Sequence, residues 1–129
     1  MPLPVPSLLA GVFALLMVPL SLQVSLRRVQ LEKAAPDNGR DETLRRRIRA
    51  HGNFIEYVPT AILVVGLAEY AGASSNLVVG LAVAFVVSRC LHAVGMLYAS
   101  TPTLRATAML IQHVAFLISG VWLVWHVVA

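Results

Sequence analysis

From Ser7 to Leu26 the chain runs for twenty residues without a charge, and that stretch excludes most soluble folds. A hydrocarbon core about 30 Å thick takes about 20 helical residues to cross, so the run has the length of one membrane-spanning helix. It is not read as a secretory signal, because it lacks a basic segment before it and a small-residue cleavage site after it. Its positive charges follow rather than precede it. The segment is therefore expected to enter the membrane from outside. Pro2, Pro4 and Pro6 are expected to keep the preceding residues extended, and Pro19 offers a place for a kink.

Three more segments of similar length follow. One starts near Thr43, becomes apolar after His51 and ends at about Tyr70. The short turn Ala71–Ser75 leads to a third, from Asn76 to Tyr98, and Ser100–Thr103 carries the breaker Pro102. The last runs from Leu104 to Val128, with Trp122 and Trp125 placed as an interfacial aromatic belt would be. The sequence thus predicts one all-α domain over residues 1–129, an integral membrane four-helix bundle with spans at about 7–26, 43–70, 76–98 and 104–128. Composition agrees: 58% of residues are hydrophobic and 12% charged, whereas soluble domains have about 25% charged residues. Gly80, Ala84 and Ser88 form a small-residue stripe suited to close helix packing.

The charges cluster. Eight of the ten Lys and Arg lie between Arg27 and Arg49, with four of the six acids. The sequence pI of about 10.0 therefore describes one segment, and the apolar runs on both sides argue against nucleic acid as its partner. A short basic loop is retained in the cytoplasm, so both termini are expected outside, in a multi-pass membrane protein. The single cysteine, Cys90, can form no intramolecular disulfide and reads as a small buried apolar residue.

An ionisable side chain inside a membrane helix costs about 2.5–3.5 kcal/mol, so it needs a partner or a function. In the second helix Arg46, Arg49, Asn53 and Glu56 share one face. The third carries Arg89 and His92, and Arg105 opens the fourth. Glu56 lies about 10 Å in from Arg49, and Arg89 about 13 Å in from Tyr98. The two should meet as an ion pair, with His92 near the level of Asn53. Together Arg46, Arg49, Asn53, Glu56, His92 and Arg105 would line a polar cavity open to the cytoplasm. Its excess of arginine suits a small anion held by forked hydrogen bonds, with Glu56 free to take an amine. Gln112 and His113 are expected to hydrogen-bond between helices. No metal site is expected.

The run Arg46-x-x-Arg49-Ala-His-x-Asn53-x-x-Glu56-x-x-Pro59 resembles the signature of the MAPEG family, the membrane-associated proteins in eicosanoid and glutathione metabolism. Arg89-x-x-His92 and Arg105 fit the same pattern, and the likeness is to the short bacterial members. The resemblance implies a homotrimer with glutathione as co-substrate between subunits. It implies that Arg46, Arg49, Asn53, Glu56, Arg89 and His92 bind or support glutathione, and that Arg105 stabilises the thiolate that attacks. The chain departs from the eicosanoid enzymes at Gly52, where they carry arginine, and at Met96 and Met109, where they carry tyrosines.

Two functions remain in view. One is a glutathione transferase or peroxidase-like enzyme acting on hydrophobic electrophiles that arrive from the lipid bilayer. The other is a non-catalytic structural or interaction protein that keeps the family's charged core. A small drug exporter is disfavoured, because the first helix has no carboxylate for proton coupling.

Overall fold

The computed structural model describes residues 2–34, 41–98 and 102–129, and among them the chain forms four α-helices and no strand. They are α1 (Pro4–Ala34), α2 (Glu42–Tyr70), α3 (Ser75–Leu97) and α4 (Thr103–Val128).

The first helix is longer than its apolar run. Its 31 residues span about 46 Å, so it continues through Arg27, Arg28 and Lys33. Most of the expected basic loop is therefore helix, shared between the end of α1 and the start of α2; Asp37 and Arg40 lie outside the described residues. Pro4 and Pro6 sit within the first turn of α1 rather than in an extended lead. There the absent N–H has no helical acceptor to lose. Pro19 lies inside an unbroken helix.

Asp41 fixes the start of α2. One of its oxygens accepts the Leu44 N–H at 2.6 Å, a side-chain cap of the kind that satisfies a free helix-end donor. The same carboxylate receives Arg27 of α1 at 2.7 and 3.3 Å, and Arg47 donates to the Gln23 carbonyl at 2.9 Å. At the other end Gly72 takes a φ of 84°, which glycine adopts without a Cβ clash. The Ala73 N–H then reaches the Ala68 carbonyl at 2.9 Å, and Ser74 caps α3.

Each helix packs on the next, α2 also meets α4, and α1 also meets α3. The core runs through Leu9 and Phe13 of α1, Phe54, Val58 and Val65 of α2, Leu81 and Phe85 of α3, and Ala115 of α4. Phe13 meets Phe54 edge-on at 5.6 Å, and Phe85 meets Phe116 at 4.7 Å. Between helices in lipid, close packing must replace the hydrophobic drive, which favours small residues at contacts. Ala50, Ala61, Ala68, Ala108 and Ala115 are all at such buried positions.

The outer surface is apolar: Leu15, Leu63, Val83, Leu117 and Val121 are each more than half exposed. Three helices, α1, α3 and α4, are long and apolar enough to cross a membrane. The equally long α2 does not reach that apolarity, because Glu42 and four arginines fill its first turns and Asn53, Glu56 and Glu69 follow; it completes the bundle as the polar member. The protein is an all-α membrane four-helix bundle.

Two further expectations change. In the small-residue stripe only Ser88 is fully buried. Gly80 is exposed, and with Ala84 it lines an apolar groove on the outer side of α3 and α4. Cys90, expected inside, is exposed, on the face of α3 turned from the core.

Candidate functional site

The start of α2, the end of α3 and the start of α4 converge at one end of the bundle. Between them lies a cavity of about 190 Å³. From α2 it is lined by Glu42, Arg45, Arg46 and Arg49, from α3 by Gly95 and Met96, and from α4 by Arg105. Four arginines and one carboxylate in so small a space make it strongly electropositive.

Gly95 permits the arrangement. A Cβ at that position would stand 2.9 Å from the Arg105 Cγ and 3.3 Å from its backbone nitrogen. The missing side chain therefore brings the first turn of α4 against α3 and sets Arg105 at the cavity wall. The Arg105 Nη1 donates to the Met96 sulfur at 3.4 Å, a weak acceptor. Its Nε is buried without a hydrogen-bond partner among the described residues. A guanidinium left so poorly paired is well placed to receive an anion. The opening of α4 adds to this, since Pro102 supplies no side-chain cap and a helix N-terminus favours negative charge.

The other cavity arginines differ in their pairing. Glu42 accepts from Arg45 through Nε at 3.1 Å and through Nη2, and from Arg46 at 3.2 Å. Arg49 is exposed and makes no ion pair among the described residues.

Deeper in the bundle is a second polar group. Arg89 is 3% exposed; its Nη1 donates to the Asn53 side-chain oxygen. Its Nε approaches Ser88 Oγ at 3.4 Å and its Nη2 the Met109 sulfur at 3.8 Å. The guanidinium lies 5.3 Å from the centre of the Tyr57 ring, within reach of a cation–π attraction. His92 is buried beside this group on the same helix.

The expected Glu56–Arg89 ion pair does not form. Glu56 follows Phe54 by two residues, about 200° round the helix, and Phe54 points into the core. Glu56 therefore faces outward and is exposed, while Asn53 and Tyr57 flank the core and reach Arg89. Of the residues expected to line one cavity, the structure brings Arg46, Arg49 and Arg105 together. Asn53, Arg89 and His92 belong to the inner group, and Glu56 joins neither.

Gln112 and His113 also depart from expectation. His113 Nδ1 bonds the Met109 carbonyl of its own helix at 2.6 Å. Gln112 is fully buried, and both its amide atoms lack a partner among the described residues. Of the hydroxyls that could stand in for the missing tyrosines, Tyr98 and Thr107 are exposed and Ser100 lies outside the described residues.

Sequence reasoning missed Glu42, Arg45, Gly95 and Tyr57. Glu42 precedes Arg46 by four residues, a spacing that signals pairing. Tyr57 follows Asn53 by four and so shares its face. Gly95 had no local signal, because its role is a contact with another helix.

Outside the membrane-spanning segments, the Asp41 carboxyl is held below the usual carboxylate range, first by Arg27 and then by the Leu44 N–H.

Comparison with known proteins places the chain in a family. The family model described as the MAPEG family matches residues 6–125. Two relatives are named "Inner membrane protein YecN", from Escherichia coli strain K12 and from Escherichia coli O6:H1. Each is 35% identical over 91 residues, which cover 70% of this chain and 69% of theirs. No solved structure matches.

Proposed function

The chain belongs to the MAPEG family, and from that membership and the arginine-lined cavity we propose that it binds glutathione at the charged end of the bundle. The observation that carries the reading is the convergence of Arg46, Arg49 and Arg105 on one small cavity. Glutathione brings two carboxylates, which guanidinium forks hold well. It also brings a thiol whose reactive form is the anion.

In this reading Arg105 stabilises the thiolate. Its Nε lacks a partner among the described residues, and its Nη1 rests only on a methionine sulfur, so both can turn to an anion at little cost. The thiolate sulfur then forms a bond to the electrophilic atom of a hydrophobic substrate that enters from lipid. The electron pair released goes to that substrate's leaving group, as in a glutathione transferase or peroxidase-like reaction. Arg89, held by Asn53 and Tyr57, supports the site from behind.

The exposed Glu56 favours assembly. A carboxylate on the outer face of a membrane bundle is costly unless covered, so a homotrimer that buries Glu56 between subunits accounts for it. The inner-membrane relatives support a bacterial inner membrane as location, with the basic end of the bundle in the cytoplasm. A binding role without catalysis is the second reading. It is favoured by Met96 and Met109, which stand where the eicosanoid enzymes carry tyrosine hydroxyls.

The test is the thiolate absorbance of glutathione added to the detergent-purified protein at neutral pH. A signal that disappears in Arg105→Ala is expected for the enzyme; binding with no thiolate signal supports the second reading. Native mass measurement reports the oligomer.

A further inference from the structure

We propose that the basic end of the bundle carries a second anion site, which holds the phosphate group of an anionic lipid. The site is a cavity of about 190 Å³ between α1, the first turns of α2 and the end of α3. At about 30 Å³ for one water, it admits a phosphate with part of its hydration. It shares Arg46 and Glu42 with the Arg105 cavity, but no described residue of α4 lines it. It does not depend on the glutathione reading.

Three helices supply the wall: Gln23 from α1, Thr43, Arg46 and Arg47 from α2, and Leu97 and Tyr98 at the end of α3. Arg47 is half-buried. Its Nη1 donates to the Gln23 carbonyl at 2.9 Å, which fixes the guanidinium at the wall. Its Nε and Nη2 have no partner among the described residues. Arg46 gives only its Nε to Glu42, at 3.2 Å, and the Thr43 and Tyr98 hydroxyls donate to nothing among the described residues. Glu42 also borders the cavity, but its carboxylate is already taken up by Arg45 and Arg46. Two guanidinium groups with spare N–H donors and two free hydroxyls thus meet one space. The several oxygens of a phosphate use such a set fully.

The surroundings point to a lipid as the source of that phosphate. The charge-free run of α1 ends at Leu26, one turn beyond Gln23, so the cavity stands where hydrocarbon gives way to headgroups. Tyr98 is 80% exposed there, at the level where tyrosines gather in membrane proteins. Leu22 and Leu26 adjoin Gln23 on α1 and are exposed, as is Val94, one turn before Leu97 on α3. Acyl chains can lie on that apolar surface, which a soluble anion would leave unused. Basic pockets between membrane helices suit anionic headgroups, whereas the choline of a zwitterionic lipid shields its own phosphate.

The experiment titrates the full-length protein in detergent with dioleoyl phosphatidylglycerol, dioleoyl phosphatidylcholine and inorganic phosphate, and counts bound molecules by native mass spectrometry. Wild type, Arg47→Gln, Thr43→Glu and Lys33→Gln are compared, each with a melting curve to establish folding. Thr43→Glu sets a carboxylate in the cavity at a helix N-terminus, where that charge favours the helix, so it serves if Arg47→Gln does not fold. Lys33→Gln removes an exposed charge of α1 that does not line the cavity. Wild type is expected to favour phosphatidylglycerol over phosphatidylcholine by about tenfold, the scale of a hydrogen bond to a charged group. That preference should disappear in Arg47→Gln and in Thr43→Glu, and persist in Lys33→Gln. Equal binding of the two lipids by wild type overturns the site, as does a preference that survives in either folded cavity variant. An equal loss in Lys33→Gln also overturns it, and makes the attraction a general one of the basic end. Displacement of phosphatidylglycerol by millimolar inorganic phosphate assigns the cavity to a soluble anion and overturns the lipid.

Discussion

Arg89 and Arg105 each bring a guanidinium to the contact between α3 and α4, and each rests on a methionine of the opposite helix: Arg89 on Met109 at 3.8 Å, Arg105 on Met96 at 3.4 Å. They differ in everything else around them. Arg89 is enclosed, with the Asn53 amide oxygen, Ser88 Oγ and the Tyr57 ring as further partners. Arg105 faces a cavity with three other arginines, and its Nε has no partner among the described residues. Matching chemistry thus serves two ends. A buried cation surrounded by neutral dipoles holds helices in register, whereas one left short of acceptors is available to an anion.

The sharpest way to break this contrast is to remove each guanidinium in turn. Arg89→Ala leaves a void and strands the Asn53 amide, so it should destabilise the bundle by about 3 kcal/mol. Arg105→Ala should change stability by about 0.5 kcal/mol or less and act on ligand binding instead. Chemical unfolding in detergent measures both, and equal losses would erase the distinction.

The next effect concerns how Arg105 is placed. Gly95→Ala puts a Cβ 2.9 Å from the Arg105 Cγ, so α4 must shift at its first turn. Overpacking of this kind costs about 1–3 kcal/mol, and glutathione affinity should fall with it. Gly52→Ala, where no atom lies within 4 Å, should leave the cavity intact and serves as its control.

A smaller effect, of opposite sign, is expected at Gln112. Its amide is buried without a partner among the described residues, and an unsatisfied buried polar group costs about 1–3 kcal/mol. Gln112→Leu should raise the unfolding free energy by about 1 kcal/mol. A loss would mean that the amide has a partner in the assembled protein.

The smallest effect is at the outer clasp. Asp41 has its carboxyl depressed by Arg27 and the Leu44 N–H. A depressed folded-state carboxyl contributes stability above its unfolded value, and that contribution is lost as pH falls through the folded one. Wild type should therefore exceed Asp41→Asn in melting temperature at neutral pH and converge with it in acid. A difference that grows in acid would contradict the clasp.

Much of this was legible in the residues. Apolar run lengths gave four helices, and the Arg46–Arg49 spacing placed a charged face at the start of α2, although Glu56, read on that face, turns outward. The end of α1 was not legible, because charges that leave the membrane can continue a helix as readily as end it. Nor was the partner of Arg89. Depth put Glu56 level with Arg89 and Asn53 one turn away beside His92, and the choice depended on how α2 is rotated about its axis, which Phe54 and Val58 decide by packing inward. The cavity wall at Gly95 depended on an approach between α3 and α4 that neither sequence announces.

The central claim is that the cavity of Arg46, Arg49 and Arg105 takes glutathione, and thermal unfolding of the detergent-purified protein with millimolar glutathione tests it most directly. A ligand at 100 times its Kd stabilises the folded state by about 2.7 kcal/mol. The account predicts a rise in melting temperature that saturates with glutathione and is lost in Arg105→Ala. An unchanged melting temperature at every glutathione concentration would contradict it.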